Sequence, residues 1–83
     1  MNTSDALRKI LRDALQIGAR ADALMPADRL LGAIAEFDSM VVVTVVTMIE
    51  ERFGVTVDDD ELSADVFETF GSLVAFVDGK LGR

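Results

Sequence analysis

The chain has 83 residues, a formal net charge of −7, and hydrophobic residues at 51% of its positions. This length predicts a single domain over residues 1–83, with one modest core. The excess of acid argues against a nucleic-acid partner, because phosphate backbones are bound by clusters of Lys and Arg. It favours a partner enzyme with a basic surface instead.

Cysteine and histidine are both absent from the sequence. Their absence excludes the usual nucleophilic dyads and metal sites with imidazole or thiolate ligands, so we expect a protein that is not itself an enzyme. The lack of cysteine also fits a reducing compartment, and residues 1–15 are too charged for a secretory signal. The longest apolar run, residues 40–49, is too short to cross a membrane. We therefore expect a cytoplasmic protein without a membrane span, and a monomer.

A first helix is predicted near the N-terminus. Apolar residues recur at three- and four-residue spacing from Leu7 to Ile17, which is the pattern of one helical face. Thr3 or Ser4 can cap this helix and Gly18 can end it. We call it helix I.

Residues 18–37 are predicted to form a long loop, since Gly18, Pro26 and Gly32 interrupt any helix there. So long a loop is unusual in a small domain unless it is functional or held against the core. Apolar residues can hold it there: Leu24, Met25, Leu30, Leu31, Ile34 and Phe37. The sequence leaves open whether residues 30–35 form a helical turn.

The run over residues 41–47 is rich in β-branched side chains, and propensity alone would make it a strand. Its spacing favours a helix, because one helical stripe collects Val42, Val45, Val46, Ile49 and Phe53. Asp38 and Ser39 are good start signals, and Gly54 follows the stripe. We therefore predict helix II over residues 39–53.

Two further helices are predicted after Gly54. Ser63 can cap a short helix III that runs through Phe67, and Thr69 can cap the last helix. One face of that last helix contains Phe70, Leu73, Val74, Val77 and Leu81, with Gly82 after it. The predicted fold is all-α, with four helices, a long loop between helices I and II, and a short helix III.

The acidic run Asp58–Glu61 could suggest a calcium site. It lacks the alternating spacing and the turn glycine with which an EF-hand loop surrounds the ion. We interpret it as a solvated, charge-rich loop whose acids can serve as a docking patch.

Ser39 lies in the sequence EFDSM and, taken alone, would be an ordinary helix N-cap. Its context is more specific. The motif Asp38-Ser39-Met40 is followed by EERFG at residues 50–54, VTVD at 55–58 and FETFGSLV at 67–74. With these pieces at this spacing, residues 31–81 resemble the acyl carrier protein family.

The resemblance implies a four-helix bundle of acyl-carrier type with a 4′-phosphopantetheine arm, derived from coenzyme A, on Ser39. It implies that Asp38 helps to dock the phosphopantetheinyl transferase and its metal. The arm would carry an acyl or aminoacyl group as a thioester. Its partners would be an acyl-activating ligase or synthase, and acyl-accepting enzymes. A thiol that arrives with the prosthetic group fits a chain without Cys or His.

A second hypothesis is a small helical protein-interaction module without a prosthetic group. It would dock a partner through Met40, Val41 and Met48, because exposed methionines favour adaptable binding. Phosphopantetheine transfer to Ser39 distinguishes the two hypotheses.

Two positions depart from the common family pattern: Glu36 replaces a frequent glycine, and Met40 replaces a frequent leucine. Methionine at this place also occurs in carriers similar to the D-alanine carrier type. Residues 30–40 resemble, more weakly, stand-alone carriers found with exosortase-linked exopolysaccharide systems.

Helix II differs from that of fatty-acid-synthesis carriers, in which the exposed face has acids near its start and middle. The matching positions here are Val41 and Thr44, and acids appear only at Glu50 and Glu51. We predict a partner-binding surface made of Met40, Val41, Thr44, Met48 and Glu51. A largely apolar surface favours a dedicated, AMP-forming acyl or aminoacyl ligase as the loading partner. The alternative is that these side chains rest against the loop before helix II.

Overall fold

The computed structural model describes residues 2–15, 17–30 and 39–82. Four α-helices occur in this part of the chain: α1 (Thr3–Leu15), α2 (Ala19–Asp22), α3 (Ser39–Phe53) and α4 (Phe70–Leu81). A 3₁₀ turn covers Asp59–Glu61. The described residues form no β-strand, only an isolated bridge between Arg29 and Thr69. The predicted all-α fold is confirmed, and so is the prediction of a helix over the β-branched run.

The core lies between α1, α3 and α4, and α1 contacts all three other helices. Its largest fully buried side chains are Leu7, Leu11, Leu30, Val45, Ile49, Phe70, Leu73 and Val77. On α3, Val42 and Phe53 are only half-buried, so they lie at the edges of the predicted stripe. Among the described residues, no helix has the length and apolar character needed to cross a membrane.

The start of α1 differs from the prediction by one residue. The cap is Asn2, whose Oδ1 accepts a hydrogen bond from the Asp5 N–H at 2.8 Å. Thr3 is instead the first residue of the helix and is buried in the protein, and its Oγ1 donates a hydrogen bond to Asp78 Oδ1 of α4 at 2.6 Å. Asn, Ser and Thr are similarly good caps, and here Thr3 is used for a contact between two helices.

Helix α4 begins and ends as predicted. At its start, Thr69 Oγ1 accepts from the Ser72 N–H and Ser72 Oγ accepts from the Thr69 N–H, both at 3.0 Å. This reciprocal pair is a capping box. At its end, Gly82 has a φ of 77°, the left-handed conformation in which glycine is favoured.

The loop after α2 is anchored by fewer side chains than predicted. Leu24 and Leu30 are buried, but Met25 is 60% exposed, so its prediction as an anchor is wrong. The backbone at Met25 is fixed instead by Asp28, whose carboxylate accepts the Met25 N–H at 2.8 Å. Leu31, Ile34, Phe37 and the possible turn at 30–35 fall largely in residues 31–38, outside the described part.

Backbone hydrogen bonds join this loop to the start of α4. They run from Phe70 N–H to Asp28 O (2.8 Å), from Gly71 N–H to Pro26 O (2.9 Å) and from Leu30 N–H to Glu68 O (3.0 Å). Arg8 of α1 supports the same junction. Its guanidinium donates to Leu24 O at 2.8 and 3.0 Å and lies 5.1 Å from the centre of the Phe70 ring.

The short helix between α3 and α4 is displaced from its predicted position. Residues 63–68 form successive turns, closed by hydrogen bonds to the carbonyls three residues earlier. The 3₁₀ turn lies before them, at Asp59–Glu61. Phe67 is buried in the core, and the Glu68 carbonyl accepts the Leu30 N–H.

Candidate functional site

Ser39 is the first residue of α3, as predicted. The first turn of an α-helix leaves backbone N–H groups without helical partners and has a partial positive charge. No acidic residue occurs in the first turn of α3. This end of the helix can therefore accommodate a phosphate-containing group on Ser39. Asp38, the residue predicted to help dock the phosphopantetheinyl transferase, lies outside the described part of the chain.

The residues that follow Ser39 expose apolar side chains. Met40 is 80% exposed and Val43 is 64% exposed. Val43 follows Ser39 by four residues, which places both on the same side of α3. Val43 was not among the predicted contact residues, although this spacing was a signal that could have identified it.

Thr44 and Thr47 complete the exposed side of the helix. The Thr44 hydroxyl donates to Met40 O at 3.4 Å, and the Thr47 hydroxyl donates to Val43 O at 3.0 Å. Because both hydroxyls already donate to carbonyls of their own helix, they add little polar character to the surface. We refer to Met40, Val43, Thr44 and Thr47 as the outer face of α3.

The predicted partner-binding residues are divided between two environments. Met40, Thr44 and Glu51 are exposed, whereas Val41 and Met48 are half-buried against the core. A helix turns about 100° per residue, so Val41 and Met48 lie between the buried and the exposed sides. Their contact with a partner stays a prediction.

Met48 belongs to a groove between α1 and α3. The groove has a volume of about 300 Å³ and is lined by Lys9, Ile10, Asp13, Met48, Glu51 and Arg52. Ile10 is buried and Met48 half-buried, while the four charged residues are exposed around them. Met48 follows Thr44 by four residues, so it lies beside the outer face of α3, at the edge that meets this groove.

Two of the acids that follow the first turn of α3, Glu50 and Glu61, accept hydrogen bonds from other parts of the fold. Glu50 Oε2 accepts the Val57 N–H at 2.9 Å, which holds the segment after the helix. Glu61 accepts from Lys80 Nζ of α4 at 2.8 and 3.0 Å and from the Asp58 N–H at 2.8 Å. Asp58 and Asp60 are exposed.

In the described ranges, no group of three or more possible ligand residues could hold a metal ion.

These contacts shift the pKa of one acid, Glu61. The hydrogen bond from the Asp58 N–H, followed by the ammonium of Lys80, lowers the pKa of Glu61 below its usual range. A carboxylate whose pKa is lowered on folding stabilises the fold above its unfolded-state pKa, about 4.3, and loses this contribution as pH falls through the folded-state value.

We therefore expect Glu61→Gln to be less stable than the parent at pH 7, and this difference to shrink below about pH 4. Urea denaturation at both pH values measures it. Glu51→Gln is the matched control, since Glu51 is exposed and makes no ion pair among the described residues. An equal gap between parent and Glu61→Gln at both pH values would contradict the role assigned to Lys80 and Asp58.

Comparison with known proteins adds four findings. A family model described as "Phosphopantetheine attachment site" matches residues 5–77. The solution NMR structure of a holo acyl carrier protein from Nitrosomonas europaea is 51% identical, covers 100% of both chains and superposes with a TM-score of 0.91. A search among curated proteins found no match.

A second solved structure shares the fold. It is an engineered glycine:[carrier protein] ligase from Bradyrhizobium japonicum, complexed with a carrier protein from Agrobacterium tumefaciens and ATP. The matched chain is 22% identical, with 93% of this chain and 97% of that chain covered and a TM-score of 0.78. At this identity the likeness concerns the fold alone.

Proposed function

The chain belongs to the phosphopantetheine attachment family and is an acyl carrier protein with a covalently bound phosphopantetheine, and on this premise we propose that the arm is attached to Ser39. The observation that carries the proposal is the position of Ser39 as the first residue of α3. Helix N-termini favour phosphate groups, and the first turn of this helix contains no acid to oppose one.

Attachment requires chemistry that the chain does not supply. The Ser39 hydroxyl attacks the phosphorus of coenzyme A that bears the pantetheine. A new P–O bond forms, the bond to the adenosine bisphosphate breaks, and the hydroxyl proton passes to a base of the phosphopantetheinyl transferase. Asp38 is proposed to help dock that transferase and its metal. The carrier provides the hydroxyl and the helix N-terminus, so we propose that it has no catalytic activity of its own.

We further propose that a dedicated, ATP-dependent acyl or aminoacyl ligase loads the arm. In this reaction the carboxylate of the cargo displaces pyrophosphate from ATP, and the thiol of the arm then displaces AMP to form the thioester. The structure of a glycine:[carrier protein] ligase with a carrier of the same fold supports this class of partner. Because coenzyme A is the source of the arm, we place this chemistry in the cytoplasm.

The attachment is tested by priming. The folded protein is incubated with coenzyme A, Mg²⁺ and a broad-specificity phosphopantetheinyl transferase, and its mass is measured. We expect one phosphopantetheine on the parent and none on Ser39→Ala. The exposed Ser63 offers a matched control, since Ser63→Ala should be modified like the parent.

Ser39→Ala should fold nearly as well as the parent, with a loss of at most about 1 kcal/mol. A folded parent protein that gains no mass would support the alternative, an interaction module without a prosthetic group. Modification of Ser39→Ala would show that the arm is attached elsewhere.

A further inference from the structure

We propose that this chain protects the thioester on its arm from attack by its own side chains. The described surface beside Ser39 presents thioether, alkyl and hydrogen-bonded hydroxyl groups, and the two amines of the chain's lysines are placed elsewhere. The proposal rests on attachment of the arm at Ser39. Its consequence is that the cargo stays on the arm until a partner enzyme takes it.

The reaction to be avoided is transfer of the cargo to a side chain of the carrier itself. When a neutral lysine amine attacks the thioester carbonyl, a C–N bond forms and the C–S bond breaks. The arm leaves as a thiol, which takes up a proton from the amine, and the cargo becomes an amide. A cysteine thiolate would take the cargo by exchange of one sulfur for another. A short flexible tether holds such partners at a roughly millimolar effective concentration, so these side reactions compete with transfer to an enzyme.

The cations around the attachment site are of one chemical type. Between residues 10 and 79, a stretch that includes Ser39, every cation is an arginine: Arg12, Arg20, Arg29 and Arg52. A guanidinium group stays protonated at physiological pH, whereas a lysine amine can lose its proton and attack a carbonyl. This stretch therefore has positive charge in a form that cannot take the cargo.

The side chains next to Ser39 on the outer face of α3 are poor acyl acceptors. Met40 is 80% exposed and offers a thioether, and Val43 is 64% exposed and offers an alkyl group. The hydroxyls of Thr44 and Thr47 donate to carbonyls of their own helix. A hydroxyl attacks an acyl group when a neighbouring base such as histidine takes its proton, and the sequence contains no histidine. A thioester that lies on this face therefore stays intact.

The chain's two lysines lie in other parts of the fold. Lys80 Nζ, in the last turn of α4, donates to both carboxylate oxygens of Glu61 at 2.8 and 3.0 Å. An ammonium group engaged in this way has no lone pair with which to attack. Lys9 belongs to α1 and lines the groove beside Glu51, which is about 18 Å along α3 from the attachment residue. Both native amines are therefore poorly placed to take the cargo.

The test installs an amine beside the arm and needs no ligase. A broad-specificity phosphopantetheinyl transferase is given acetyl-coenzyme A, so that the arm arrives with an acetyl thioester. The parent, Val43→Lys and Val43→Arg are primed in this way, complete priming is established by mass, and excess acetyl-coenzyme A is removed. Val43 is exposed and lies one turn from Ser39, and Val43→Arg adds the same charge without a nucleophile. Each protein is then held at about pH 9, where more of a lysine side chain is neutral than at pH 7.

Neutral hydroxylamine distinguishes the two products, since it releases acetyl from a thioester and leaves an acetyl amide intact. We expect hydroxylamine-resistant acetyl on Val43→Lys at a level about tenfold or more above that of the parent. Peptide fragmentation should place this acetyl group on residue 43. Val43→Arg should match the parent, and Lys9 and Lys80 should stay unmodified in all three proteins.

Two outcomes would overturn the proposal. In the first, Val43→Lys gains no more resistant acetyl than Val43→Arg, which would mean that an amine beside the arm does not threaten the thioester. In the second, Lys9 or Lys80 of the parent is acetylated as fast as residue 43 of Val43→Lys, which would mean that the native amines are within reach. A folded parent that is not primed is a separate result, since it would reject the attachment at Ser39 and this proposal with it. Thermal unfolding of each variant establishes that all three proteins are folded.

Discussion

Ile49→Ala should lower the free energy of unfolding by about 2 to 5 kcal/mol. Ile49 is 1% exposed and lies on the inner side of α3, the helix that begins with Ser39. Truncation removes apolar contacts and leaves a cavity that close-packed neighbours fill only in part. A domain of this size has only a few kcal/mol of net stability, so the upper end of this range would unfold it.

Val43→Ala is the matched control because it truncates an apolar residue of the same helix at a position that is 64% exposed. Its stability should stay within about 0.5 kcal/mol of the parent. Phe53 is half-buried, so Phe53→Ala should lower the free energy of unfolding by less than truncation of a fully buried phenylalanine would. Urea denaturation measures all three. Equal losses in Ile49→Ala and Val43→Ala would contradict the orientation of α3.

Gly71→Ala should lower the free energy of unfolding by about 1 to 3 kcal/mol. A Cβ at residue 71 would lie 2.8 Å from the carbonyl oxygen of Pro26. The obstacle is backbone, and the same oxygen accepts the Gly71 N–H at 2.9 Å. The methyl group must therefore push the loop away from the start of α4 and weaken that hydrogen bond.

Gly79 provides the control on the same helix. A Cβ at residue 79 would meet nothing within 4 Å. Gly79→Ala should therefore stabilise the protein by up to about 1 kcal/mol, since alanine has the higher helix propensity. The two substitutions are chemically identical and should act with opposite signs in thermal or urea denaturation. Stabilisation by both would mean that the loop does not pack on the start of α4.

The sequence predicted the elements whose local signals and burial agree. In α3, the spacing of buried Val45, Val46 and Ile49 outweighed the strand propensity of β-branched residues, because burial of a stripe contributes more than propensity does. In α4, Thr69 and Gly82 were both identified because capping chemistry is local.

Features that depend on contacts distant in sequence were predicted less well. Thr3 looks like a cap, but its hydroxyl is used by Asp78, which is 75 residues away. Met25 looks like an anchor, but Asp28 fixes that part of the backbone instead. The predicted contact residues on α3 included half-buried Val41 and omitted exposed Val43. A periodic pattern identifies a stripe, whereas the rotation of a helix against its neighbours is decided by tertiary packing.

The most direct test of the carrier function is mass spectrometry of the protein isolated from the organism that carries it. Fragmentation should place a phosphopantetheine on Ser39, and a further mass on the arm should be released by neutral hydroxylamine, as expected for a thioester. An arm on another residue would contradict the assignment of Ser39. Folded protein that carries no phosphopantetheine in its own cells, with the transferase active on other carriers there, would contradict the account as a whole.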